Sequence, residues 1–262
     1  MPIEATSMEK ATPFDRLILA EVGPEKAGKS RLAATGRKPV LFFDYDRRKQ
    51  SVAGVAGVYA VTITDPPEDY KQPTAFSEGL DVIAKLEKPE GTLADIDPAF
   101  PKIRPKTVVI DSMQTLGLAA MRFTLFSTPE LRREINIGGK MKVMLSKGWD
   151  GWTAETSAVG NFFLRLLGIK DLDVICVFHE VAEEAPNSTD ENVVLTGKIA
   201  VFPKRYRVFI KWFNELWRIT REAQIPQIQV VANYQFPAAT NLNIVSVDKP
   251  DISYLIEKAL KK

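Results

Sequence analysis

One octapeptide constrains this chain more than any other feature. Residues 23–30 read Gly23-Pro24-Glu25-Lys26-Ala27-Gly28-Lys29-Ser30 and satisfy G-x-x-x-x-G-K-[ST] at every required position. The preceding residues 16–22, RLILAEV, read as a strand, and residues 30–35 begin a short helix ended by Gly36. Strand, glycine-bounded loop and helix together make a phosphate cradle. Gly23 and Gly28 let the backbone turn with unusual dihedrals and approach an anion closely. Successive N–H groups then point inward, and the helix adds the positive end of its dipole. In such a loop Lys29 reaches the β- and γ-phosphates and the Ser30 hydroxyl ligates Mg²⁺. The candidate nucleotide contacts are therefore Gly23, Pro24, Glu25, Lys26, Ala27, Gly28, Lys29, Ser30 and the next residue, Arg31.

The rest of the chain reads as an α/β fold. Residues 40–44, VLFFD, form a continuous apolar run, as expected of a strand covered on both faces. Residues 58–63, 106–111 (KTVVID) and 173–178 (DVICVF) are further strands. Helical spacing covers residues 74–86, 112–126, 153–167 and 251–260. Between residues 65 and 106 lie Pro66, Pro67, Pro73, Pro89, Pro98, Pro101 and Pro105, so this stretch reads as one helix between two proline-marked loops on the surface. A hairpin is expected around Thr196-Gly197, with strands near residues 216–220 and 227–232. Apolar strands alternating with helices predict a mainly parallel sheet flanked by helices, with antiparallel hairpins added at one edge. The expected organisation is a loose arm over residues 1–14 and one domain over 15–262, with the proline-rich stretch as an insertion.

Composition excludes several classes. The single cysteine, Cys176, cannot form an intramolecular disulfide, so nothing points to an oxidising compartment. No apolar run approaches the ~20 residues of a spanning helix, and the first fourteen residues lack the apolar core of a signal peptide. A cytoplasmic protein without membrane contact is expected. With 35 basic and 33 acidic residues, the formal charge of +2 excludes a histone-like protein but allows a local basic patch.

A phosphate loop needs a second anchor for Mg²⁺. Asp111 ends the apolar run Val108-Val109-Ile110, at the strand end where open parallel sheets bind ligands. It would hold the metal through water; capping the helix that follows is its other possible role. Hydrolysis also needs a group to orient the attacking water. Asp44 and Asp46 end the second strand, and alternation places them on the same side of an extended chain. Asp46 lies farther out and is the candidate; the other reading is a solvated turn acid paired with Arg47 or Arg48. His179, the one histidine, follows DVICVF and is either a γ-phosphate sensor or a hydrogen-bonded structural residue. The candidate catalytic set is Lys29, Asp46 and His179, the metal ligands are Ser30 and Asp111, and the cofactors are ATP and Mg²⁺.

The order of these motifs resembles the RecA-like core ATPases: phosphate loop, a strand ending in an acid, a strand ending in Asp-Ser, a strand ending in a polar sensor. In that family the second strand's acid is usually glutamate; Asp46 stands in its place, one methylene shorter. TVVIDSMQTL looks like the family's metal-binding strand and CVFHE like its sensor strand, with His179 in place of the usual polar amide. FHEVAEE, TGKIAVFPKRYRVFIKWFNELWRIT and the short C-terminal helix are similar to phage-encoded RecA-like nucleotide-binding proteins, some of which act in single-strand annealing recombination. The likeness runs over roughly residues 15–258. It implies a homo-oligomeric ring or filament, single-stranded DNA as ligand, a single-strand-binding or other replication protein as partner, and the bacterial host cytoplasm as location.

In such proteins, loops after the third and fourth core strands face DNA. Here residues 128–150 carry Arg132, Arg133, Lys140, Lys142 and Lys147 beside Trp149 and Trp152, the pairing of charge and aromatic platforms used for single strands. A solvated loop with core tryptophans is the alternative. Glu183, Glu184, Asp190 and Glu191 argue against DNA contact just after the sensor strand. Lys204, Arg205, Arg207 and Lys211 form a second cluster near Trp212 and Trp217, either a solvated face or the source of a finger into a neighbouring subunit. Other functional classes stay open: an ATPase that loads a helicase or remodels a partner, a small-molecule kinase, and a low-turnover nucleotide-dependent interaction module.

Overall fold

The computed structural model describes residues 16–65, 73–128, 130, 132–137, 140–145, 149–184, 195–199, 210–222, 225–232, 238–242, 244, 247 and 249–260. Strand β1 (Ile18–Gly23) leads into α1 (Lys29–Ala33), β2 (Val40–Asp44), β3 (Val58–Thr62), α2 (Ala75–Glu87), α3 (Leu93–Ile96) and β4 (Thr107–Asp111). Then come α4 (Met113–Ser127), β5 (Arg132–Ile137), β6 (Lys140–Leu145), α5 (Trp149–Gly168) and β7 (Asp173–Glu184). The described chain finishes with β8 (Leu195–Ile199), β9 (Glu215–Glu222), β10 (Ile225–Gln229), β11 (Ala239–Thr240) and α6 (Ile252–Leu260).

The main sheet runs β10-β9-β1-β7-β4-β2-β3, with β11 added on β9 and β8 on β7. From β9 to β3 every pairing is parallel. β10 and β11 are antiparallel to β9, and β8 to the outer half of β7. The expected edge hairpin is therefore β9–β10. Thr196-Gly197 is not a turn: it lies inside β8, opposite Glu183 and Ala182.

The continuous apolar strands are covered on both faces. Leu41 and Phe43, Val108 and Ile110, and Val174, Cys176 and Phe178 join a core with Ile83, Leu116, Phe162, Phe163 and Leu166 from α2, α4 and α5. Their neighbours Val40, Phe42, Val109, Ile175 and Val177 join a second core with Leu32 of α1 and Ile252, Leu255 and Ile256 of α6. The free thiol of Cys176 is buried in the first core.

Two regions differ from expectation. The proline-marked stretch holds two helices rather than one: the first, α2, packs Phe76 on Phe123 and Phe162 and so forms part of the core in the β3–β4 crossover. The second is the short α3. The polar stretch 128–150 is a hairpin rather than a loop: β5 and β6 pair antiparallel from Arg132–Leu145 to Ile137–Lys140. Residues 1–14, Lys147, Asp190, Glu191, Lys204, Arg205 and Arg207 lie outside the described residues. No helix among the described residues is long and apolar enough to cross a membrane.

Candidate active site

The two loop glycines answer different needs. Gly28 has φ 93°, the left-handed region that penalises a side chain. Gly23 is needed for space: a Cβ there would lie 2.0 Å from the carbonyl oxygen of Ile219 on the adjacent β9. The expectation of unusual dihedrals thus holds for Gly28, while Lys26, with φ 60°, supplies the loop's other left-handed residue. Pro24, Glu25, Lys26 and Arg31 are exposed and Ala27 is buried. The hairpin β9–β10 braces the loop. Pro226 Cγ lies 3.0 Å from the position of a Gly28 Cβ, and Arg221 Nη1 donates to Lys26 O at 3.3 Å.

Lys29 opens α1 and is buried. Its ammonium curls back to donate to Gly23 O at 2.8 Å and Pro24 O at 2.6 Å. Burial pulls its pKa down, against the opposing charges of Glu21, Asp111, Glu180 and Glu25. Next to it, Ser30 Oγ donates to Asp111 Oδ2 at 2.6 Å. The two predicted metal ligands, 81 residues apart in sequence, are thus in direct contact. Burial raises the Asp111 carboxyl, Asp46 and Asp44 add to the effect, and the Ser30 bond and His179 oppose it. Asp111 does not cap the following helix; that position belongs to Ser112. Among the described residues there is no cluster of three or more metal-binding side chains. A cation here would have a hydroxyl and a carboxylate from the protein, a hard oxygen pair that suits Mg²⁺ completed by phosphates and water.

Asp46 and His179 are brought together as well. Asp46 Oδ1 accepts from Ser112 Oγ at 3.0 Å and from Thr115 Oγ1, and Asp46 Oδ2 lies 3.4 Å from His179 Nε2. Burial pushes this carboxyl up, but the bonds from His179, Thr115 and Ser112 and the His179 charge outweigh it and bring it down to about 2. Asp46 is therefore a fixed anion, and it is not paired with Arg47 or Arg48. Asp44 does not share its side. Strand β2 ends at Asp44, whose carboxylate accepts from the backbone N–H groups of Arg48 (2.8 Å) and Lys49 (3.0 Å). Asp44 shapes the turn, and Asp46 faces α4.

The strand register explains the convergence. Gly23 is paired with His179 and Asp44 with Asp111, so four adjacent strands bring the candidate residues to one edge. Sequence reasoning missed Thr115, Glu21 and the Arg218–Glu180 pair, and gave Ser112 only as the end of the strand that carries Asp111. Ser112 and Thr115 follow Asp111, and only the register reveals that they face Asp46. Glu21 is fully buried one strand-step before the loop, with neither carboxylate oxygen hydrogen-bonded. Burial holds its pKa well above the carboxylate range, against the Lys29 charge. A glutamate inside RLILAEV was the available signal. Finally, Arg218 forms a two-pronged pair with Glu180 at 3.0 and 3.1 Å across the end of β1.

The aromatic platforms of the second basic cluster are not available. Trp217 is fully buried and donates to Glu215 Oε2 at 2.7 Å, while Trp212 stacks on Phe163 at 5.3 Å. Lys211 is exposed.

Fold and site together define an α/β protein with a mostly parallel mixed sheet, compatible with a Rossmann-like core, and a polar site at the carboxyl edge of its central strands. Neither a protein-family model nor a curated protein matches the chain.

Proposed function

We propose that this protein is a Mg²⁺-dependent, RecA-like P-loop ATPase acting on single-stranded DNA in phage recombination or annealing. One observation carries the reading: Lys29, Ser30, Asp46, Asp111 and His179, spread over 151 positions of sequence, meet at one sheet edge. Bound MgATP supplies the transferable phosphoryl group and a cation that neutralises developing charge. Lys29, held only by two loop carbonyls, is ready to exchange them for phosphate oxygens. Ser30 and Asp111, now bonded to each other, would hold the cation, Ser30 by its hydroxyl and Asp111 through water. Asp46, held ionised, orients the attacking water by accepting from its O–H, and His179 ties that carboxylate to the sensor strand.

Homo-oligomeric assembly and a replication-protein partner belong to the same reading through the family resemblance. The low-turnover interaction module is favoured by a separate observation: hydroxyl groups and an imidazole already surround Asp46, which leaves it a weak base.

The test is phosphate release from ATP with Mg²⁺, with and without single-stranded DNA, beside Lys29→Ala. DNA-stimulated release that falls by more than about 100-fold in the variant supports the proposal. DNA-independent release points to a loading or remodelling ATPase. ATP binding without release selects the interaction module.

A further inference from the structure

A cleft of about 450 Å³ opens beside Asp46 and His179, within the size range of small-ligand sites. Three arginines line it: Arg47, Arg48 and Arg122. Arg122 is engaged, 3.0 Å from Asp65, whose other oxygen accepts from the Ala75 N–H at the start of α2. Arg47 and Arg48 are different. Among the described residues, Arg47 Nη2 meets only neutral oxygens, Thr64 Oγ1 at 2.9 Å and Asp65 O at 3.2 Å. The Arg48 guanidinium has no partner among the described residues. Both arginines are exposed.

The backbone reinforces the point. Arg47 has φ 57°, a region costly for any residue with a side chain and concentrated at functional sites. That conformation turns the chain immediately after Asp46. The Asp44 carboxylate then fixes the turn through the Arg48 and Lys49 amides. The chain is thus held so that two guanidinium groups with no carboxylate partner among the described residues follow the candidate catalytic acid directly. Guanidinium pairs are matched to phosphate oxygens in charge and geometry. Of the acids lining the cleft, Asp46 and Asp65 are already engaged, and Glu25 stands exposed at the loop. Leu118, 44% exposed on α4, offers apolar ground beside the arginines for a sugar or base.

We propose that this cleft takes a backbone phosphate of the single strand, with Arg47 and Arg48 as its ligands. The inference rests on the DNA-dependent reading above and moves the strand from the β5–β6 hairpin to the acid that orients water. Strand occupancy and hydrolysis are then coupled through adjacent residues of one turn.

The test is binding of a fluorescent oligo-dT, read by anisotropy across a salt series, with Mg²⁺ and a non-hydrolysable ATP analogue. Wild type, Arg48→Ala, the double variant Arg47→Ala/Arg48→Ala and the hairpin variant Lys140→Ala/Lys142→Ala are compared. The double variant is expected to bind about tenfold or more weakly, with a salt slope shallower by about 0.7 per lost contact. The hairpin variant is expected to stay within about threefold of wild type. Should the double variant lose its thermal transition, Arg48→Ala decides alone, with a drop of about threefold or more expected. Oligonucleotide affinity unchanged in the arginine variants, with wild type binding well, overturns the cleft while leaving the ATPase reading intact. Wild type that fails to bind at low salt overturns the DNA reading and the cleft with it.

Discussion

The two ends of the central sheet handle their polar groups in opposite ways. At the amino end, Asp173 is fully buried and accepts from Leu17 N at 2.8 Å and from both prongs of Arg37. Arg16 donates to Leu167 O and Ile169 O, and Thr107 Oγ1 to Arg37 O. These groups satisfy one another, as buried polar groups in a purely structural setting do. At the carboxyl end, Lys29 rests on its own loop, Ser30 and Asp111 bond each other, and Glu21 and His179 Nδ1 have no hydrogen-bond partner. Beside the saturated Asp44, Asp46 and Arg218–Glu180 groups, the carboxyl end thus keeps buried polar atoms short of partners, which the groups named at the amino end are not.

The contrast can be broken by moving charge at each end. On the ATPase reading proposed above, Asp46→Asn should lower turnover by about 10² to 10⁴ while nucleotide affinity stays within a few-fold, because an amide orients water poorly but leaves residues 23–30 intact. Steady-state phosphate release and nucleotide titration separate the two effects. Asp173→Ala should do the reverse. Removing it strands Arg37 and an amide, and a loss of about 3 kcal/mol in urea unfolding is expected, the low end for a broken buried pair because Arg37 is partly exposed.

Acidity sharpens the comparison. The folded Asp46 carboxyl lies at about 2, below the unfolded value of about 3.9. Its stabilisation is therefore present above the unfolded value and is lost as pH falls from about 4 towards about 2. The gap in unfolding free energy between wild type and Asp46→Asn should shrink by about 2 kcal/mol over that window. The smallest effect belongs to a pair at neither end. Arg165 and Glu87 join α5 to α2 at 2.6 Å, with both side chains over one-third exposed. The Arg165 bond holds the Glu87 carboxyl below its usual value, so the contribution fades as pH falls through the carboxylate range. Glu87→Ala should cost no more than about 0.5 kcal/mol, and less in high salt.

Much of the architecture was legible because its strands are unbroken apolar runs that announce two-sided burial. VLFFD is a strand over the residues expected, and KTVVID is one residue shorter. Where pairing rather than composition makes a strand, the reading fell short. β7 was expected to stop at Phe178, yet it runs to Glu184 because β8 supplies an antiparallel partner for its polar half. The β5–β6 hairpin hid behind its cations, although Gly138-Gly139 is a two-residue hairpin signal. The site divides the same way. Lys29 and Ser30 could be named from the octapeptide, and Asp111 and His179 because each ends or follows an apolar run. Ser112, Thr115, Glu21 and the Glu180–Arg218 pair act across strands, so their roles emerge only with the register.

The placement of β1 has a consequence for how the chain matures. It is the earliest described strand, yet both its sheet neighbours, β7 and β9, come from the last third of the sequence. Neither of its native partners exists until residue 173 and beyond have been made. During synthesis the glycine-bounded loop of residues 23–28 therefore waits, attached to an unpaired apolar strand, until most of the chain has emerged. Such long-range closure slows folding and exposes a sticky edge in the interval. A ribosome-stalled fragment ending before β7 should accordingly hold residues 16–30 accessible to protease, and extension past β9 should close them.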